Sequence, residues 1–223
     1  MSTEPAMTSH FAVWGTHDAS RAAVKSARAS AAALSRRADP VRQERLSGIH
    51  NPWGVGATLT DPWTFLDLCE NSELANAVAR IAGPDLILWD SELFLDAERY
   101  RRFATAEGRH WPIEPLAGAV AGVPLDDPDR AQIVAVPDGG QLDLSILSSG
   151  QPLYVIRYMR ATSHFNRDSS ARANRRVMEE RLLVNYSTRP LWLIKGEDRA
   201  NNDFITGFAP VTPRWAGPLA KGK

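Results

Sequence analysis

The stretch FATAEGRHWP, Phe103 to Pro112, sets a carboxylate, Glu107, three residues before an imidazole, His110, in a chain with only five histidines. A carboxylate and an imidazole that converge can move a proton or activate a nucleophile. On a strand, residues three apart point to opposite faces, so the two converge only if ATAEGRH is a loop. His164, in RATSHFNRD, sits among Ser, Asn and Asp and reads as a polar loop residue. RLLVNY reads as a strand with Arg181, Leu183 and Asn185 on one face. A guanidinium entering a sheet interior needs an acidic partner or an anionic ligand. Arg181 is the first candidate for binding an anion, with Arg176 second and Asn185 beside it; a salt bridge from Arg181 to Glu179, Glu180 or a neighbouring strand is the alternative. Asp90 and Glu92, two apart in LWDSELF, share a face and form either an acid–base pair or, as the sequence favours, a solvated edge. Arg157 and Arg160, in YVIRYMR, are expected to pair with carboxylates on the next strand. His50 lies in a loop of unfixed direction, Cys69 is expected to be a small buried residue, and most tryptophans are expected to be core.

The elements that must position these groups follow from composition and patterning. At 223 residues the chain suits one domain, or one domain with an appendage. Lys+Arg and Asp+Glu balance at 26 each, so no summed field draws it to nucleic acid or an anionic membrane, and a small-molecule partner is expected. One cysteine rules out an internal disulfide framework, which with the absence of a long apolar run points to the cytoplasm. Residues 17–45 are rich in Ala, Arg and Ser, with little to pack, and predict a helix that docks weakly or on a partner; residues 1–47 are taken as an extension and 48–223 as the folded domain. Leu74, Val78 and Ile81 recur at helical spacing, capped by Asn71 or Ser72 and stopped at Gly83-Pro84. Beyond Pro84 the runs LILWDSELFL, GAVAGVPL, AQIVAV, LDLSIL, PLYVIRYM, RLLVNYS, LWLIKG and FITGFA are each strand-sized and separated by turn residues. The expected class is mainly β with flanking α-helices, a barrel or jelly roll.

From Ile49 to the C-terminus, the order IAGPDLILWDSELF, HWPIEPLAGAVAGVPLDD and SHFNRDSSARANRRVMEERLLVNYS resembles the phytanoyl-CoA dioxygenase family. The resemblance implies a double-stranded β-helix, a jelly roll of cupin-like form, that holds Fe(II) by two histidines and a carboxylate and binds 2-oxoglutarate through an arginine. It implies Glu107, His110 and His164 as metal ligands, Glu107 and His110 as catalytic groups, and Arg181, Arg176 and Asn185 at the cofactor. The same register sets Thr105 where the first histidine belongs and Ala161 where the distal one belongs. The alternative that follows is a metal-free barrel, acting as an isomerase, a cyclase or a small-molecule binding protein without cofactor. A regulatory protein docking through its N-terminal helix is a third reading, and a homodimer is compatible with all three.

Overall fold

In the computed structural model, residues 9–10, 18–36, 45–104, 111–136, 142–146, 150–174 and 189–204 are described. Thr105, Glu107, His110, Arg176, Arg181 and Asn185 lie outside them. The elements run β1 (Ser9–His10), α1 (Asp18–Ser35), β2 (Arg45–Ser47), α2 (Pro62–Cys69), α3 (Ser72–Ala82), β3 (Leu86–Phe94), α4 (Ala97–Ala104), β4 (Ile113–Glu114), β5 (Gly118–Pro124), β6 (Gln132–Val136), β7 (Leu153–Arg160), β8 (His164–Phe165) and β9 (Trp192–Lys195).

The large sheet has the order β1-β6-β5-β7-β3-β2, with β9 also on β3, and all its pairs are antiparallel. β4 and β8 form a separate two-stranded ribbon. A mainly antiparallel architecture with a few helices is therefore present, as composition and turn spacing predict. Among the described residues the sheet stays open and does not close into a barrel. The run LDLSIL, expected as a strand, instead contains a 3-10 turn at Leu144–Ile146. Asp143 accounts for this: its carboxylate accepts from the Ser145 N–H and hydroxyl, a local bond that competes with a ladder. No helix among the described residues is long and apolar enough to cross a membrane.

The starts of α2 and α3 have visible causes. Asp61 accepts from the Trp63 N–H with Pro62 in the first turn of α2, and Asn71 accepts from the Glu73 and Leu74 N–H groups at the start of α3. Asn71 also donates to Ser20 Oγ at 2.8 Å, which ties α1 to the helix pair. The helix expected to have little to pack is in fact docked on its own chain: Val24, Ala27, Ala31 and Leu34 form a buried stripe against α2. Alanine there contributes by letting backbones approach closely rather than by bulk.

Two cores lie on opposite faces of the sheet. One joins α1, α2 and α3 to Leu86, Leu88, Leu93, Tyr154, Ile156 and Tyr158. The other joins α4 and the ribbon to Ile87, Trp89, Phe94, Leu153, Val155 and Met159. β7 alternates regularly between them, so Arg157 points to the ribbon side. β3 does not alternate regularly, because its pairing with β7 steps from Leu88↔Tyr158 to Asp90↔Arg157. Trp89 is thus the extra residue of a bulge, and Trp89 and Asp90 both face the ribbon. Gly118 lets β5 pass close to this region, since a Cβ there would run into the Tyr158 carbonyl and the Trp111 ring.

Candidate functional site

Three arrangements of chemical groups emerge. On the ribbon side of the sheet, five charges alternate in a row. Arg189 donates to Asp90 Oδ1; Arg157 reaches Asp90 Oδ2 at 3.2 Å and Glu92 Oε2 at 2.9 Å; Arg45 reaches Glu92 Oε1 at 2.8 Å. Asp90 and Glu92 are fully buried and Arg157 nearly so. The solvated edge expected for the two carboxylates is therefore overturned: β3 is a central strand, paired with β7 on one side and with β2 and β9 on the other. The expectation that Arg157 pairs with carboxylates on its neighbouring strand holds. Burial pushes the Asp90 carboxyl up despite the opposing pull of Arg189 and Arg157. Burial acts the same way on Glu92, but Arg157 and Arg45 outweigh it and bring that carboxyl below its ordinary value.

On the helix side, His50 Nδ1 lies 2.6 Å from Ser91 Oγ, Tyr154 donates to Ser91 Oγ at 2.8 Å, and Cys69 Sγ lies 3.1 Å from the Tyr154 hydroxyl. The Ser–His spacing suits an activated hydroxyl. All four residues are fully buried, so no substrate reaches them and the row acts as structure. Burial, and then the Arg189 charge, hold the His50 imidazole well below its ordinary value, and its Nε2 has no hydrogen-bond partner among the described residues. Burial likewise pushes the Cys69 thiol up, and Cys69 is the small buried residue expected there.

The neutral His50 sets a pH dependence. The unfolded chain takes up this proton near the ordinary value of about 6.5 and the folded chain only well below it, so the unfolded state binds more protons in between. Stability is then fully present above about 6.5 and declines as pH falls through that window, by at most about 1.4 kcal/mol per pH unit. Urea midpoints measured from pH 7.5 to 5 should show this slope, and His50→Gln should lose one proton's worth of it; an unchanged slope would contradict the assignment.

The third arrangement is open to solvent. A cleft of about 430 Å³ is floored by Trp111, Pro112 and Ile113 and walled by Glu114, Asn166 and Arg172. Amides build its far wall: the Asn166 N–H donates to the Pro112 carbonyl at 2.7 Å, and Asn174 Nδ2 donates to the carbonyls of Asn166 and Asp168. Asn202 anchors the turn from beneath, accepting from the Phe165 N–H and donating to the Ser163 carbonyl. His164 is exposed on β8, directly across the ribbon from Glu114. Of the residues the sequence singles out at the site, His164 is thus placed beside this cleft. Glu107, His110, Arg176, Arg181 and Asn185 lie outside the described residues. Glu114 and Arg172 were not singled out, because what distinguishes them is a pairing between segments far apart in the chain.

No family model matches the chain, and no curated protein matches it. Among solved structures, a chain described as the non-heme monooxygenase ThoJ in complex with nickel is similar to it, with a TM-score of 0.42 and 14% identity over 82% of this chain and 78% of that one. The likeness is distant.

The iron and 2-oxoglutarate implied by the sequence resemblance can be tested against the residues present. Ala161 closes β7 with no exposure, its N–H on the Asp85 carbonyl at 3.0 Å and its own carbonyl accepting from the Arg199 N–H at 2.9 Å. At the position that the sequence resemblance assigns to the distal ligand, the chain thus carries a methyl group in the apolar core. Among the described residues no group of three or more His, Cys, Asp or Glu side chains comes together to hold a metal ion. Of the three implied ligands, Glu107, His110 and His164, only His164 is among the described residues. Of the described tryptophans, Trp89 and Trp111 are core and Trp192 packs against the helix-side core, whereas Trp53 and Trp63 are 44% and 54% exposed. Trp53 lies flat on Trp192 at 6.2 Å between centroids, a surface stack.

Proposed function

We propose that this chain is a metal-free, small-molecule binding protein on the plan of a double-stranded β-helix, with the Trp111–Arg172 cleft as its site. The observation that carries this reading is Ala161, wholly buried at the position where the resemblance requires the distal metal ligand. The cleft has the size and composition of a small-ligand site, an apolar floor with a few convergent polar groups. A catalytic form of the same reading, a non-redox isomerase or cyclase, is favoured by Glu114 and His164, which face each other across the ribbon and offer a carboxylate and an imidazole for proton transfer.

The rival reading, an Fe(II) and 2-oxoglutarate dioxygenase, needs Glu107, His110 and His164 to share one ion. Purified protein is loaded anaerobically with Fe(II) and 2-oxoglutarate, desalted and assayed for iron. We expect far less than one iron per chain and melting-temperature responses to ligands that persist in EDTA. Retention of one iron per chain, lost in Glu107→Ala and His164→Ala, would overturn the proposal and establish the oxygenase.

A further inference from the structure

We infer that the cleft beside Trp111 takes a small dipolar ligand of the α-amino-acid type, its ammonium group at Glu114 and its carboxylate at Arg172. The inference rests on the binding-protein reading and gives that site a ligand class. Two side chains of opposite charge line one cleft, and neither forms an ion pair among the described residues. They do not neutralise each other, although each would gain by meeting a partner. A monoanion drawn to Arg172 meets the Glu114 carboxylate, and a monocation drawn to Glu114 meets the guanidinium; only a ligand carrying both charges satisfies both walls. Arginine presents a planar fork that matches a carboxylate in two hydrogen bonds, whereas a carboxylate accepts from any of the three ammonium protons.

The third polar wall fits the same ligand. Asn166 Oδ1 already accepts from the Asp168 N–H at 2.9 Å, which leaves the amide NH₂ of Asn166 to donate into the cleft. A second donor beside the guanidinium favours the carboxylate end. The floor of Trp111, Pro112 and Ile113 is apolar and suits an aliphatic side chain. The charged walls are exposed, so water screens them and affinity stays modest while selectivity among charge types is retained.

The test uses the full chain, treated with EDTA, and binding measured by ligand-observed NMR and calorimetry. The probes are the twenty common amino acids, together with two analogues of leucine: 4-methylpentanoate, which lacks the amine, and 3-methylbutylamine, which lacks the carboxylate. We expect at least one apolar amino acid to bind and leucine to bind at least tenfold more tightly than either analogue. Arg172→Gln should remove the advantage of leucine over the amine, and Glu114→Gln its advantage over the carboxylate. Both positions are exposed, so neither change disturbs packing. Equal binding of leucine and either analogue, no response to any amino acid, or unchanged selectivity in both variants would each overturn the ligand class. The parent reading fails separately, through stoichiometric iron loading.

Discussion

Replacing Arg157 by methionine should lower the free energy of unfolding by about 3–5 kcal/mol, the usual cost of removing one partner from a buried ion pair. Arg157 is the middle member of the five-charge row and touches both carboxylates, at 3.2 Å from Asp90 and 2.9 Å from Glu92. Without it, Asp90 keeps Arg189 and Glu92 keeps Arg45. Burial already pushes Asp90 up, and losing one of the positive charges that oppose this, Arg189, Arg157 and Arg45, should push it further. Glu92, held down by Arg157 and Arg45, should rise as well; the folded variant then holds its carboxyl protons more tightly, so its loss of stability relative to the parent should shrink as pH falls. Urea unfolding at two pH values measures both effects. Adding Asp90→Asn and Glu92→Gln should restore part of the loss, because neutral groups shed most of the desolvation cost. A loss below about 1 kcal/mol in the single variant would mean that water reaches the row.

Trp89→Ala is expected to cost a similar amount, about 3–5 kcal/mol, for a different reason. Trp89 is fully packed in the ribbon-side core, edge-on to Trp111 with centroids 5.1 Å apart and tilted against Phe165 at 6.1 Å. Removing it opens a cavity beside the Trp111 and Phe165 rings in a fully buried core. Trp111 is the floor of the cleft, so the change should weaken small-ligand binding although Trp89 does not line the cleft. Loss of the near-ultraviolet aromatic dichroism and a lowered urea midpoint are the measurements. Preserved aromatic dichroism with unchanged stability would show that Trp89 does not organise this core.

Much of the sheet is legible locally. LILWDSELF, GAVAGVP, QIVAV, LYVIRYMR and WLIK are strands in the structure, and Asn71 caps α3 as its side chain suggests. These features depend on neighbours in the chain. What failed depends on partners far away. Asp90 and Glu92 look like an edge because nothing nearby in sequence buries them; only the register with β7 and the flanking β2 and β9 do so. The direction of His50 is fixed by Ser91, 41 residues on. Helix α1 was undervalued because its buried stripe is half alanine, which reads as poor in core residues yet packs closely. The cleft was illegible for the same reason as the ion row, since Glu114 and Arg172 approach only through the β4–β8 pairing and the turn beyond it.

The bulge at Trp89 also governs how β3 tolerates changes of length. Read by strict alternation, Asp90 and Glu92 would belong with Leu86 and Leu88 on the helix side; the inserted residue reverses the phase and sends them to the ribbon side. Taking one residue out at position 89 restores an ordinary ladder and leaves every later side chain on its present face. Taking one out at Ser91 instead turns the rest of the strand over, driving Glu92 into the helix core and Leu93 onto the ion row. A nine-residue strand buried throughout thus has at its bulge a joint where its length can change by one while later residues keep their faces, with the packing of the Trp89 ring given up in exchange.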